Sequence, residues 1–113
     1  MASRVQEFHG SLKPRPAEAF LTLRALAVSL GPDVIENVTS AGVVYLRRDK
    51  PFLMVHQVKS RLHLGFPPGV AISDPSGRLL KRGEEMYVAV EGPEAVDGHV
   101  QEFVRKAYAS LRA

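Results

Sequence analysis

The chain contains no cysteine. This absence excludes a disulfide scaffold, a thiolate zinc site and a cysteine nucleophile. Long apolar runs are missing as well: no stretch approaches the length of a membrane span, and the first residues lack the apolar segment of a secretion signal. We therefore expect a cytoplasmic protein without a membrane partner.

An excess of one charge sign is nearly absent, because 15 Lys and Arg stand against 12 Asp and Glu, a net charge of +3. So small an excess does not identify a polyanion binder. The basic residues nevertheless group near predicted turns, and the candidate basic patch comprises Arg47, Arg48, Lys59, Arg78, Lys81 and Arg82. Such groups are more often solvated loop residues than a binding site, so nucleic acid is a weakly supported partner.

The length and composition indicate one folded unit. With 113 residues, of which 45% are hydrophobic, the chain is able to bury a single core. Residues 1–15 carry little pattern, and we predict an N-terminal arm with one helical turn around Val5 and Phe8. Residues 16–113 are predicted to form a single α+β domain.

Two helices are predicted at the ends of this domain. Apolar residues at helical spacing predict the first from about Pro16 to Leu30, closed by Gly31-Pro32. A second apolar stripe predicts a final helix that opens at Gly92-Pro93-Glu94, with the proline in its first position.

Between the helices the pattern is that of extended chain. Runs rich in Val, Leu, Tyr and Phe predict strands at about 38–47, 51–58, 61–66 and 86–91. The connection 67–85 is unusually long, which is typical of functional or mobile loops. The predicted fold class is therefore α+β: a two-layer sandwich with an N-terminal helix, a four-stranded, mainly antiparallel meander and a C-terminal helix.

The hairpin between the second and third predicted strands divides their side chains between two faces. If Lys59-Ser60 is a two-residue turn, His56 lies directly across from His63. The core face then receives Leu53, Val55, Gln57, Leu62, Leu64 and Phe66, together with Val44 and Leu46. The opposite face receives the candidate ligand-binding residues Tyr45, Met54, His56, Arg61, His63 and Tyr87. Such side chains stack on bases or hold small anions, but they also suit a solvated face or a homodimer contact.

Metal sites and catalytic sites have little support. Two imidazoles whose Cβ atoms are about 5 Å apart could share an ion, but a zinc site needs three or four ligands, and we expect no metal and no cofactor. Ser73 and Ser76 lack a placed base, and the glycines lack the lysine and spacing of a phosphate-binding loop. Asp33 and Glu36 are interpreted as polar boundary residues after the first helix. No catalytic motif therefore supports an enzyme.

A diffuse pattern across residues 16–112 carries a family resemblance. It consists of Leu30-Gly31-Pro32-Asp33-Val34, Val38-Thr39, Val43-Val44-Tyr45, Phe52, Val55, Lys59, Leu62-His63-Leu64 and Glu91-Gly92-Pro93-Glu94-Ala95-Val96-Asp97. In these segments the chain resembles an uncharacterised bacterial domain family near the YdhG-like, frataxin-like proteins. The resemblance implies a compact α+β domain of unassigned biochemical role.

Two departures from that family limit what the resemblance implies. Some YdhG-like relatives are described as iron chaperones, but neither predicted helix here carries the acidic ridge expected of that role. Ser40 and Gly42 stand where a lysine and an aromatic residue are expected, and Gly42 is expected to open a notch beside Tyr45 and His56.

The sequence thus favours a non-catalytic binding or accessory module that uses one sheet face. A nucleic-acid-associated domain and a homodimerising or partner-docking domain stay open as alternatives.

Overall fold

The computed structural model of the protein describes residues 3–70 and 72–111, without the side chain of Ser3. Residues 1–2, 71 and 112–113, which include the ends of the predicted arm and domain, lie outside the described residues. The helices are α1 (Ser3–Ser11), α2 (Pro14–Ser29) and α3 (Gly98–Ser110), with a 3-10 turn at Pro93–Ala95. The strands are β1 (Val34–Thr39), β2 (Gly42–Arg47), β3 (Lys50–Val58), β4 (Arg61–Phe66), β5 (Leu80–Arg82) and β6 (Glu85–Val90).

The strands form one antiparallel sheet in the order β1-β2-β3-β4-β6-β5. The α+β class is confirmed, but the four-stranded meander is wrong, because the sheet has six strands. The predicted strand 38–47 is a hairpin that turns at Ser40-Ala41, where the Ala41 N–H donates to the Thr39 hydroxyl over 3.2 Å. The predicted connection 67–85 contains β5, which pairs with β6.

The segment predicted as an arm contains the nine-residue helix α1 rather than one turn. Val5 is buried in the core, and the Phe8 ring meets the Phe20 ring edge-on with centroids 5.1 Å apart. Short helices gain most of their stability from such tertiary packing, which local sequence pattern does not reveal.

The predicted first helix agrees with α2, whereas the last helix starts later than predicted. Pro93 opens only the 3-10 turn, and α3 begins at Gly98. Its N-cap is Asp97, whose Oδ1 accepts a hydrogen bond of 3.1 Å from the Val100 N–H. A side-chain acceptor at this position satisfies a backbone donor that the helix leaves free.

The predicted register of β3 and β4 is confirmed. Val55 pairs with Leu64 and His56 with His63 across a turn in which Lys59 adopts φ +57°. The assignment of the preceding strand is wrong by one residue. Val43 and Tyr45 pair with the core residues Val55 and Leu53, so Val44 and Leu46 lie on the opposite face.

One hydrophobic core joins the helices to one face of the sheet. Its largest fully buried side chains are Phe20, Leu23, Tyr45, Phe52, Leu53, Leu62, Leu64 and Phe66. A shift in the β2–β3 register between Tyr45 and Leu46 allows the consecutive residues Phe52 and Leu53 both to be buried. Within the described ranges, no helix has the length and apolar character to span a bilayer.

Candidate functional site

The side of the sheet opposite the core, here called the outer face, is not buried by the described helices. Strand alternation and pairing register place on it Ile35, Asn37, Thr39, Val44, Leu46, Met54, His56, Val58, Arg61, His63, Gly65, Leu80, Arg82, Glu85, Tyr87 and Ala89. Ile35 is 50% exposed and Leu80 is 51% exposed. These two side chains lie on the opposite edge strands β1 and β5, and apolar residues that are exposed singly are normal on a protein surface.

Three rings form a row across the middle of the outer face. The centroids of His56 and His63 lie 5.6 Å apart, with the rings tilted by 55°. The next pair, His63 and Tyr87, is nearly parallel at 11°, with centroids 5.4 Å apart. The row follows from the sheet, because β3, β4 and β6 are consecutive neighbours and present these side chains on the same side. We call His56, His63 and Tyr87 the ring row.

Two adjoining depressions on the outer face share His56 and Glu85. The larger, of about 250 Å³, is lined by Thr39, Ala41, Gly42, Val43, Val44, Met54, Val55, His56 and Glu85. The smaller, of about 90 Å³, is lined by His56, Val58, His63, Gly65, Arg82, Glu85 and Tyr87. Gly42 and His56 thus border one notch, as expected, but Tyr45 does not.

Gly65 makes room for the Glu85 carboxylate on the outer face. A Cβ atom at this position would lie 2.5 Å from Glu85 Oε1 and 3.5 Å from Met54 Cε. Arg82 faces Glu85 across the β5–β6 pair. The outer face therefore combines stacked rings and apolar methionine with one carboxylate and the guanidinium groups of Arg61 and Arg82, a mixture typical of small-ligand sites.

The pKa of His63 is lowered, chiefly because partial burial disfavours the charged ring. The positive charges of His56, Arg61 and Arg82 lower this pKa further. A neutral His63 keeps one ring nitrogen as a hydrogen-bond acceptor and the other as a donor.

We expect the His63 imidazole to titrate with a midpoint below the 6.5 of an unperturbed histidine in an NMR pH titration. The unfolded state then binds the proton more tightly, so the contribution of His63 to stability is fully present above pH 6.5 and is lost as the pH falls toward the folded pKa. Replacing Arg82 by glutamine should raise the midpoint, whereas Arg105→Gln on α3 should leave it unchanged. A midpoint at or above 6.5 would contradict this description of the site.

Tyr45, predicted on the outer face, is buried in the core, and this part of the prediction is wrong. Its hydroxyl donates a 2.7 Å hydrogen bond to Glu36 Oε2. Arg24 donates to both oxygens of the same carboxylate, through Nε at 2.8 Å and Nη2 at 3.0 Å. Burial and the bonded carboxylate together raise the pKa of Tyr45 well above its usual range. Glu36 is therefore the centre of a structural cluster rather than a boundary residue.

The candidate basic residues do not converge on one surface. Arg47 binds Asp33 at 2.9 Å and lies 4.2 Å from the centre of the Tyr108 ring. Arg78 binds the Asp97 carboxylate at 2.7 Å. Arg48 and Lys59 occupy left-handed turn positions, with φ of +61° and +57°. Arg61, predicted for the ligand face, lies on that face beside the ring row, two residues before His63 on β4, and contacts Glu91 at 3.1 Å.

Lys81 points away from the outer face, toward a broad depression of about 890 Å³ beside α3. This depression is lined by Val70, Ile72, Ser73, Lys81, Glu84, Met86, Lys106, Ala109 and Ser110. Its second lysine, Lys106, donates to the hydroxyl and carbonyl oxygens of Ser73 over 3.3 Å. Among the residues that the structure describes, no three His, Asp or Glu side chains are grouped so as to hold a metal ion.

Sequence reasoning missed Glu85 and Gly65 as members of the site. The signal for Glu85 was present, because the alternation that predicts Tyr87 outward also predicts Glu85 outward. The importance of Gly65 depends on the position of the Glu85 side chain, which comes from β6, a strand distant in sequence.

Comparison of the chain with protein-family models, curated proteins and solved structures gave no match. The resemblance to the YdhG-like proteins therefore stays a prediction.

Proposed function

We propose that this protein is a non-catalytic binding module that takes a ligand bearing a flat ring on the outer face. The observation that carries the proposal is the ring row, whose three rings line the smaller depression and whose His56 also borders the larger one, on the sheet face that the described helices leave open.

The chemistry of the outer face suits a ring with a polar edge. Stacking of a base on an aromatic side chain contributes about 1–3 kcal/mol, and it depends little on the identity of the ring. Met54 supplies apolar contact, while Arg82 and Glu85 offer a donor and an acceptor close to the rings. Few polar groups in a mainly apolar depression are what orient a small ligand.

An amide NMR titration with indole, adenosine and benzoate tests this proposal. We expect saturable shift changes confined to outer-face residues of β3, β4 and β6, strongest at His63 and Tyr87. Substitution of Gly65 by alanine should weaken the response at least about tenfold, because the added methyl group occupies the space between Met54 and the Glu85 carboxylate.

Gly69→Ala is the matched control, since a Cβ atom at Gly69 meets nothing within 4 Å. Equal responses from the Gly65 variant and the wild type would refute the proposal. So would shift changes centred on the depression between Lys81 and Lys106, or no response to any of the three compounds.

Single-stranded nucleic acid is a second candidate ligand, favoured by the two guanidinium groups beside the ring row. Arg61 and Arg82 both lie close enough to His63 to lower its pKa electrostatically. Bases stacked on rings, with phosphates next to arginines, are the usual arrangement on sheets that bind single strands. Short mixed-sequence RNA and DNA in the same titration should then give shifts that weaken steeply with salt. A response to adenosine without a salt-sensitive response to RNA or DNA would leave the small ring ligand as the function.

A further inference from the structure

The two edge strands of the sheet are protected very differently. An edge strand exposes unpaired backbone groups, and proteins usually shield them with short strands, charged residues, prolines or bulges. β5 follows this pattern, because it has three residues and two of them are Lys81 and Arg82. β1, at the opposite edge, has six residues and contains no lysine, arginine or proline.

The outward side of β1 is regular and unpaired. All six residues pair with β2 without a register shift, so no bulge bends the strand away. The Val34 N–H donates to the Gly31 carbonyl oxygen over 3.4 Å. From residue 35 to residue 39, the backbone forms no hydrogen bond to any other element of the described chain on the side away from β2. Ile35 and Asn37 are exposed beside this edge.

The charge on β1 is already neutralised within the subunit. Its one charged residue, Glu36, points to the core side, where it binds Arg24 and Tyr45. At the start of the strand, Asp33 is paired with Arg47. The turn at the other end, Ser40-Ala41, is uncharged.

We infer that β1 pairs antiparallel with β1 of a second copy of this chain, joining two sheets at their unprotected edges. Antiparallel pairing about a two-fold axis is self-complementary, since each strand supplies the donors and acceptors that the other lacks. With Asn37 opposite Asn37 of the second copy, this pairing sets the Asp33 end of one strand against the uncharged Ser40-Ala41 turn of the other, and no like charges meet. Antiparallel pairing of β5 with β5 of a second copy would instead bring Lys81 and Arg82 of one copy close to the same positive charges of the other. This association is separate from ligand binding on the outer face.

Sedimentation equilibrium of the full chain from micromolar to millimolar concentration tests the inference. We expect a monomer–dimer equilibrium. Hydrogen exchange at β1 amides should become slower as the fraction of dimer rises with concentration. Asn37→Lys should weaken dimerisation at least about tenfold, because it places like charges on facing edges. Asn37 is exposed, and an unchanged amide spectrum outside β1 would show that the fold is kept.

Leu80→Lys adds the same charge at the other edge and should leave the dimer unchanged. Three outcomes would overturn the inference: a monomer at every concentration, a dimer insensitive to Asn37→Lys, or a dimer weakened equally by Leu80→Lys. A monomer whose β1 amides are protected only when an extended peptide is added would instead identify the edge as a peptide site.

Discussion

Replacing Glu36 by alanine is expected to lower the free energy of unfolding by about 3 kcal/mol. The substitution removes the carboxylate that accepts the hydrogen bond of the buried Tyr45 hydroxyl and both hydrogen bonds of Arg24 in the described chain. Removing one partner of a buried pair typically costs about 3–5 kcal/mol because the other charge stays desolvated. Arg24 retains 27% exposure, which places the expected cost at the lower end of this range. Urea unfolding monitored by circular dichroism measures it.

Two variants separate the contributions to this loss. Tyr45→Phe keeps the buried ring and the Arg24–Glu36 pair, and it should cost about 1.5–3 kcal/mol, the usual range for one hydrogen bond to a charged group. Glu94→Ala removes the partner of Arg15 in an ion pair whose side chains are 57% and 63% exposed, and it should change stability by less than about 1 kcal/mol. If Glu36→Ala costs no more than Glu94→Ala, the cluster does not stabilise the fold.

Substitution of Gly42 by alanine is the second change with a large expected effect, a loss of about 2–3 kcal/mol. A Cβ atom on Gly42 would collide with the Val55 carbonyl oxygen and come within 3.0 Å of His56 Cβ. Gly42 also adopts φ +152°, a conformation that other residues rarely occupy. Because the obstacle is backbone of the adjacent strand, relief requires β2 and β3 to separate locally. Thermal and urea unfolding of Gly42→Ala measure the loss.

Two other glycines serve as matched controls for this substitution. A Cβ atom at Gly77 meets nothing within 4 Å, although its φ is +72°, so Gly77→Ala measures conformational strain without a collision. Gly10 lies in α1 with open space around it, and Gly10→Ala should raise stability by about 0.5–1 kcal/mol. A loss at Gly42 no greater than the loss at Gly77 would show that the contact with Val55 is relieved at little cost.

The parts of the fold that were predictable are those with an unambiguous local pattern. In β3 and β4, apolar and polar residues alternate around Lys59-Ser60, and this fixed both the register and the pairing of His56 with His63. The first long helix has apolar residues at helical spacing and a Gly31-Pro32 stop, and α2 ends within a residue of the expected position.

Elsewhere the pattern was ambiguous or the cause was tertiary. Residues 43–46 are all apolar, so alternation did not say which of them face the core, and a one-residue error inverted the faces of β2. The three residues of β5 are too few to show a strand pattern, and β5 is recognisable only through its pairing with β6. The role of Glu36 depends on Arg24, which a helix brings to it from twelve residues earlier.

The candidate site was predictable to the extent that it follows from strand alternation. His56, His63 and Tyr87 were expected on one face. In the structure, the centroids of neighbouring rings in the row lie 5.6 Å and 5.4 Å apart. Tyr45 was wrongly included in the site, because the prediction inverted the two faces of β2. A notch beside Gly42 and His56 was expected, but the smaller depression could not be predicted, because it depends on how Glu85 lies over Gly65 from the neighbouring strand β6.

The positions of the tyrosines have a consequence for the optical properties of the protein. The chain has three tyrosines and no tryptophan, so its near-ultraviolet absorbance and intrinsic fluorescence come from phenol rings in three separate environments. Tyr45 lies in the core, Tyr87 in the ring row, and Tyr108 on α3, where its hydroxyl donates to Asp33 Oδ1. Single-tyrosine variants would thus give the unlabelled protein a separate spectroscopic probe for core unfolding, for events on the outer face and for the docking of α3 against the start of β1.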